Sequence, residues 1–116
     1  MSVQVNTYLV IGVTLPYDDK WKGDNYEKFD DYHDSAFGGI HHHNGLCMLS
    51  DGMCGNYVVI GKVLKKTDNH RGFDCDPIDV SEIDSDGSDR AYVGSLLKAQ
   101  FDIDKPATIM IVSHYR

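Results

Sequence analysis

The chain has 116 residues, of which 41% are hydrophobic and 25% charged; that balance suits an ordinary globular domain and argues against disorder throughout. Eighteen acids against eleven bases leave a net charge of -7. This disfavours direct binding to nucleic acid or to an anionic membrane, because both depend on Lys and Arg. The longest apolar run, Tyr8 to Val13, is far too short to span a bilayer, and the opening residues lack the basic flank and apolar core of a secretory signal. A single cytoplasmic domain over residues 1–116 is expected.

Val5 to Leu15 is rich in β-branched and aromatic residues and stops at Pro16, which predicts a strand. Its continuous apolar centre predicts a central strand covered on at least one face. Tyr26, Phe29 and Tyr32 recur every three residues and predict an amphipathic helix over 25–33. Asp24 is its expected cap, with Glu27 closing a capping box and Trp21 packing beneath the start. Residues 35–44, with two glycines and three consecutive histidines, read as a loop. Residues 45–50 and 56–65 predict two strands joined by a glycine-bearing hairpin loop, and Gly61 in the second marks a bulge.

Residues 67–87 are polar, acidic and weakly periodic, with at most one helical turn over 77–83. Residues 88–101 predict a helix with Ala91, Val93 or Tyr92, Leu96, Leu97 and Phe101 on one face and Ser88 or Asp89 as its cap. Residues 107–113, entered after Pro106, predict a closing strand. The order strand, helix, strand, strand, helix, strand predicts an α+β domain: a four-stranded, mostly antiparallel sheet with two helices, in the ferredoxin-like split β-α-β arrangement. A long acidic loop precedes the second helix, and loops of such length in a compact domain often carry function.

The acids come in blocks. Residues 18–34 hold seven acids and three lysines, and residues 68–89 hold eight acids and one arginine. Sixteen of the eighteen acids are Asp, which favours caps and turns over helix interiors, so the acidic stretches are expected to be loops with fixed carboxylates. Asp74, Asp76, Asp79, Glu82, Asp84, Asp86 and Asp89 follow one another with no base between the first and the last. A solubilising surface is the plain explanation. The sharper one is a face for a basic partner, since closely spaced carboxylates imitate a run of phosphates. Calcium is a third option, but an EF-hand register starting at Glu82 fails at Asp89 and at Val93.

His41 and His43 would project to the same side of an extended segment, and Cys47 and Cys54 follow. Imidazole and thiolate are ligands zinc prefers. The spacing matches no strong zinc signature, and exposed histidines with buried thiols are the plain alternative. The three cysteines, Cys47, Cys54 and Cys75, form an odd set, as expected of free thiols in a reducing compartment. No phosphate loop, dinucleotide fingerprint or nucleophile elbow is present.

The expected function is that of a small acidic, non-enzymatic binding protein. It would dock 68–89, with Asp74, Asp76, Asp79, Glu82, Asp84, Asp86 and Asp89 as the charged surface and 18–34 as a secondary one, on a basic, nucleic-acid-binding site of a protein partner, as a viral anti-defence inhibitor or nucleic-acid mimic does. No catalytic residues and no cofactor are expected on this view. The alternative is a zinc protein, structural or hydrolytic, built on His41, His43, Cys47 and Cys54. An uncovered sheet edge would also let two copies pair.

Overall fold

Strand β1, Val5–Leu15, lies at the centre of the sheet with both faces covered. The computed structural model describes residues 5–21, 24–34, 39–51, 55–67, 81 and 83–115. Strands β2 (Cys47–Ser50), β3 (Val58–Lys66) and β4 (Thr108–Tyr115) complete a four-stranded sheet of order β2-β3-β1-β4, antiparallel throughout. A short helix α1 (Asp24–Lys28) lies between β1 and β2, and a long helix α2 (Ser88–Phe101) links β3 to β4. No helix among the described residues is long and apolar enough to cross a membrane.

Two apolar clusters hold the sheet from its two sides. Ile11 and Val13 of β1, Met48 of β2 and Val58 and Ile60 of β3 pack with Val93, Leu97 and Phe101 of α2. Tyr8, Val10, Cys47, Leu49, Val59 and Val63 form the cluster on the opposite face. Side chains alternate across a strand, so this two-sided burial explains why β1 reads as an unbroken apolar run. Each fully buried aliphatic side chain, such as Leu97, contributes roughly 1.5–3 kcal/mol.

Gly61 is not the bulge. It pairs with Gly12 at the middle of the β1–β3 ladder, and the register slips later, where Leu9 pairs with Lys65 but Val10 with Val63, leaving Leu64 as the extra residue. The slip sets Lys66 opposite Tyr8, and directly opposed residues share a face. Without the extra residue Lys66 would lie on the other side of the sheet.

The predicted helix over 25–33 is interrupted. The α-helix ends at Lys28, Phe29 takes φ -111° and ψ 15°, and a single 3₁₀ turn covers Asp30–Tyr32. Adjacent Asp30 and Asp31 are poor helix-interior residues. Packing finishes the break: Phe29 and Tyr32 stack on Phe101 at 5.6 and 4.9 Å between ring centres, and Trp21 lies 5.3 Å from Phe29. With the helix broken at Phe29, both Phe29 and Tyr32 reach Phe101 at the end of α2.

Helix α2 spans the predicted residues, but its cap is different. Neither Ser88 nor Asp89 caps it. Gly87 enters in the left-handed region (φ 77°), and the Asp84 carboxylate, three residues earlier, accepts the first-turn N–H groups of Asp89 (2.7 Å) and Arg90 (2.8 Å).

Candidate functional site

The segment from Asp18 to Tyr32 sorts its residues by side. Trp21 is buried and Phe29 and Tyr32 are partly buried, all three packed into the α2 cluster. Asp18, Asp19, Asp24, Glu27, Asp30 and Asp31 are exposed. The aromatic side is pinned by stacking on Phe101 and by the Tyr32 hydroxyl, which donates to Gln100 Oε1 at 2.8 Å. The first turn is tied to α1 by Asn25 Nδ2, which donates to the Asp19 carbonyl at 2.8 Å. The six carboxylates therefore stand on an anchored frame, and among the described residues none of them forms an ion pair. Lys20 and Lys28 are the described bases of the segment; Lys20 lies over the Trp21 ring at 5.0 Å.

The second acidic block is described in part. Asp74, Asp76, Asp79 and Glu82 lie outside the described residues. Asp84 and Asp86 are occupied with the start of α2. Loss of hydration pushes the Asp84 carboxyl up, but the N–H groups of Asp89 and Arg90 and the Arg90 guanidinium, whose Nε is 2.9 Å away, together draw it below the ordinary value. The Ser88 N–H, 3.0 Å from Asp86 Oδ1, likewise holds Asp86 low. Asp89 is exposed in the first turn, where a negative charge suits the helix dipole.

The three described members of the zinc set go separate ways. His41 Nε2 lies 2.8 Å from the Asp31 carbonyl, the His43 ring stands edge-on to Tyr32 at 4.7 Å, and Cys47 is buried in the opposite-face cluster. Cys54 and Cys75 lie outside the described residues. Among the described residues no three His, Cys, Asp or Glu side chains are grouped to hold a metal.

His42 and His33, absent from the sequence-derived site, have specific tasks. The β2–β3 ladder ends at the Cys47–Gly61 pair, and past that end His42 Nε2 accepts the Val63 N–H at 2.9 Å. Burial, with Lys62 and His41 nearby, pulls the His42 ring below the ordinary histidine value against the opposing pull of Asp34. His33 Nδ1 lies 2.9 Å from the Phe29 carbonyl, which can only accept, and Nε2 lies 3.0 Å from Ser50 Oγ. Burial lowers this ring too, outweighing the Phe29 carbonyl and Asp30, and in the neutral form the acceptor carbonyl of Phe29 calls for the proton on Nδ1.

A buried polar group on the opposite face also escaped the sequence. The Tyr8 hydroxyl donates to Asp34 Oδ2, and Lys66 Nζ meets the same oxygen at 3.0 Å, with both charged side chains almost wholly covered. Beside them Tyr57 Oη is 2.8 Å from His114 Nδ1, and Tyr8 stands edge-on to His114. Asp34 is placed there by its own N–H, which bonds the Met48 carbonyl at 3.1 Å. Through these contacts the group ties Asp34 to the sheet. The signal for it was the register slip at Leu64, which periodicity cannot show. A separate shallow depression of about 400 Å³, lined by Arg90, Ala91, Gly94 and 103–107, lies between α2 and the entry to β4; its Arg90 side chain is already engaged with Asp84. No family model, no curated protein and no solved structure matches the chain.

Proposed function

We propose that the chain is a non-enzymatic binding protein that docks a fixed array of carboxylates on a basic, nucleic-acid-binding site of a protein partner and so competes with the nucleic acid. One observation carries this reading: Asp18, Asp19, Asp24, Glu27, Asp30 and Asp31 are all exposed, on a frame held by three packed aromatics. Pre-fixed charges lose little freedom on binding, and an unpaired acidic face speeds encounter with a basic one. Asp84 and Asp86 are engaged at the start of α2, so the weight moves from the second acidic block to the first. Asp89 extends the array, and Asp74, Asp76, Asp79 and Glu82 are proposed to add to it.

The strand order β2-β3-β1-β4, with helical segments between β1 and β2 and between β3 and β4, supports a ferredoxin-like split β-α-β fold. In it the 18–34 segment stands where the first helix would. A cytoplasmic location fits a partner that handles nucleic acid and forms part of the same proposal. The zinc alternative gains nothing from the described residues.

The test is affinity capture with immobilised wild-type chain beside a variant carrying Asp18→Asn, Asp19→Asn, Asp24→Asn, Glu27→Gln, Asp30→Asn and Asp31→Asn. Wild type is expected to retain nucleic-acid-binding proteins that are lost as salt rises, because exposed charge pairs are screened, and the variant is expected to retain none of them. Equal recovery by both would refute the proposal.

A further inference from the structure

Strand β4 forms one edge of the sheet, and we propose that it pairs antiparallel with β4 of a second copy, joining two sheets across a two-fold axis near Ile111. The two edges of the sheet are treated differently. On the far edge β2 has only four residues, and His33 bridges to its Met48 while the Asp34 N–H takes the Met48 carbonyl. That edge is short and covered. β4 has eight residues, and among the described residues no strand pairs with its outer side.

Sheet proteins keep open edges apart with charges, internal prolines or bulges. β4 has none of these between 108 and 113. Its sequence there is Thr-Ile-Met-Ile-Val-Ser, and its register with β1 runs without a slip from Thr108 to Tyr115. Ile111, at its middle, is 58% exposed, one of the most exposed large apolar side chains described. An isologous pairing about Ile111 sets each Ile111 against its copy and Ile109 against Ser113.

Charge decides where two copies can meet. Each copy carries -7, and the exposed acids of 18–31 would repel a second copy brought to that face. The uncharged β4 strip is where two such chains approach without setting carboxylate against carboxylate. An eight-residue strand is about 26 Å long. Paired along that length, two such edges bury less than the roughly 1,200 Å² at which specific stable interfaces begin, so the contact is a weak one. The dimer is therefore expected to dissociate at micromolar concentration.

Sedimentation velocity across about 0.1–100 µM chain, a range set to bracket a micromolar dissociation constant, reads the outcome. Wild type is expected to move from monomer to dimer over this range. Ile111→Lys sets like charges across the axis and is expected to weaken the dimer at least about tenfold, with its circular dichroism spectrum unchanged. Ile111→Cys is expected to form an interchain disulfide under mild oxidation, and wild type treated alike is not. Wild type that stays monomeric at the top concentration would overturn the proposal, leaving the edge to a strand of another protein. An Ile111→Lys dimer as tight as wild type would overturn it by placing the contact elsewhere. So would Ile111→Cys chains that do not cross-link.

Discussion

Gly12 and Gly61 face each other across the central ladder so closely that a Cβ on Gly12 would sit on the Ile60 carbonyl oxygen and 2.7 Å from the Gly61 Cα. The reverse holds for Gly61, whose Cβ would meet the Ile11 carbonyl and come within 2.6 Å of the Gly12 Cα. The obstacle in both cases is backbone in the middle of two paired strands, which cannot swing aside. Gly12→Ala and Gly61→Ala are each expected to cost at least about 2 kcal/mol in urea unfolding. Gly94 lies inside α2 with nothing within 4 Å of its would-be Cβ, so Gly94→Ala should stabilise by about 0.5–1 kcal/mol. Equal effects at all three positions would contradict the close approach.

The Lys66–Asp34 pair is buried with Tyr8 as its third member. Removing one partner strands a charge away from water. Lys66→Met or Asp34→Leu alone is expected to cost about 3–5 kcal/mol, and the double change less than the sum of the two. A double-mutant cycle by denaturant unfolding reads the coupling. Additive costs would show that the pair does not act as a unit.

Two histidines make stability depend on pH. His33 and His42 are both held below their ordinary value in the fold by burial. The unfolded chain therefore binds more protons in the range below about pH 6.5, and stability rises with pH there. Their contribution is complete above about pH 6.5 and is lost as pH falls through the lowered folded values. Protonation at His42 Nε2 would also remove the acceptor of the Val63 N–H. Unfolding midpoints measured from pH 7.5 down to 5 should fall, and less steeply in His42→Gln. A flat profile for wild type would contradict this.

His41 and His43 are each occupied locally, by the Asp31 carbonyl and by the Tyr32 ring. Changing both to Ala is expected to alter stability by no more than about 1 kcal/mol, since neither is a core side chain. Elemental mass spectrometry of chain purified without chelator should find no stoichiometric zinc. One zinc per chain, lost in the double variant, would restore the His–Cys reading.

Legibility in the sequence followed the range of the interactions. β1 and α2 were found to the residue, because β-branched content and the spacing of Val93, Leu97 and Phe101 are local signals. Adjacent Asp30 and Asp31 were a local sign against a helix there, but the place of the break at Phe29 was not legible, since Phe29 and Tyr32 meet Phe101 from far along the chain. The extra residue at Leu64 left no local mark either, and with it went the Lys66–Asp34–Tyr8 group. The acidic blocks were plain from composition. Which of their carboxylates are engaged, as Asp84 is with Arg90 and the start of α2, depended on geometry.

Competition with nucleic acid tests the central claim most directly. A basic protein captured by wild type would be loaded with a fluorescent oligonucleotide and titrated with the chain while anisotropy is followed. Release of the oligonucleotide by wild type is expected, with the six-fold neutralised variant at least about tenfold weaker. A ternary complex that keeps the oligonucleotide bound, or release by the neutralised variant at the same concentration, would contradict the proposed docking of the 18–31 carboxylates on a nucleic-acid site.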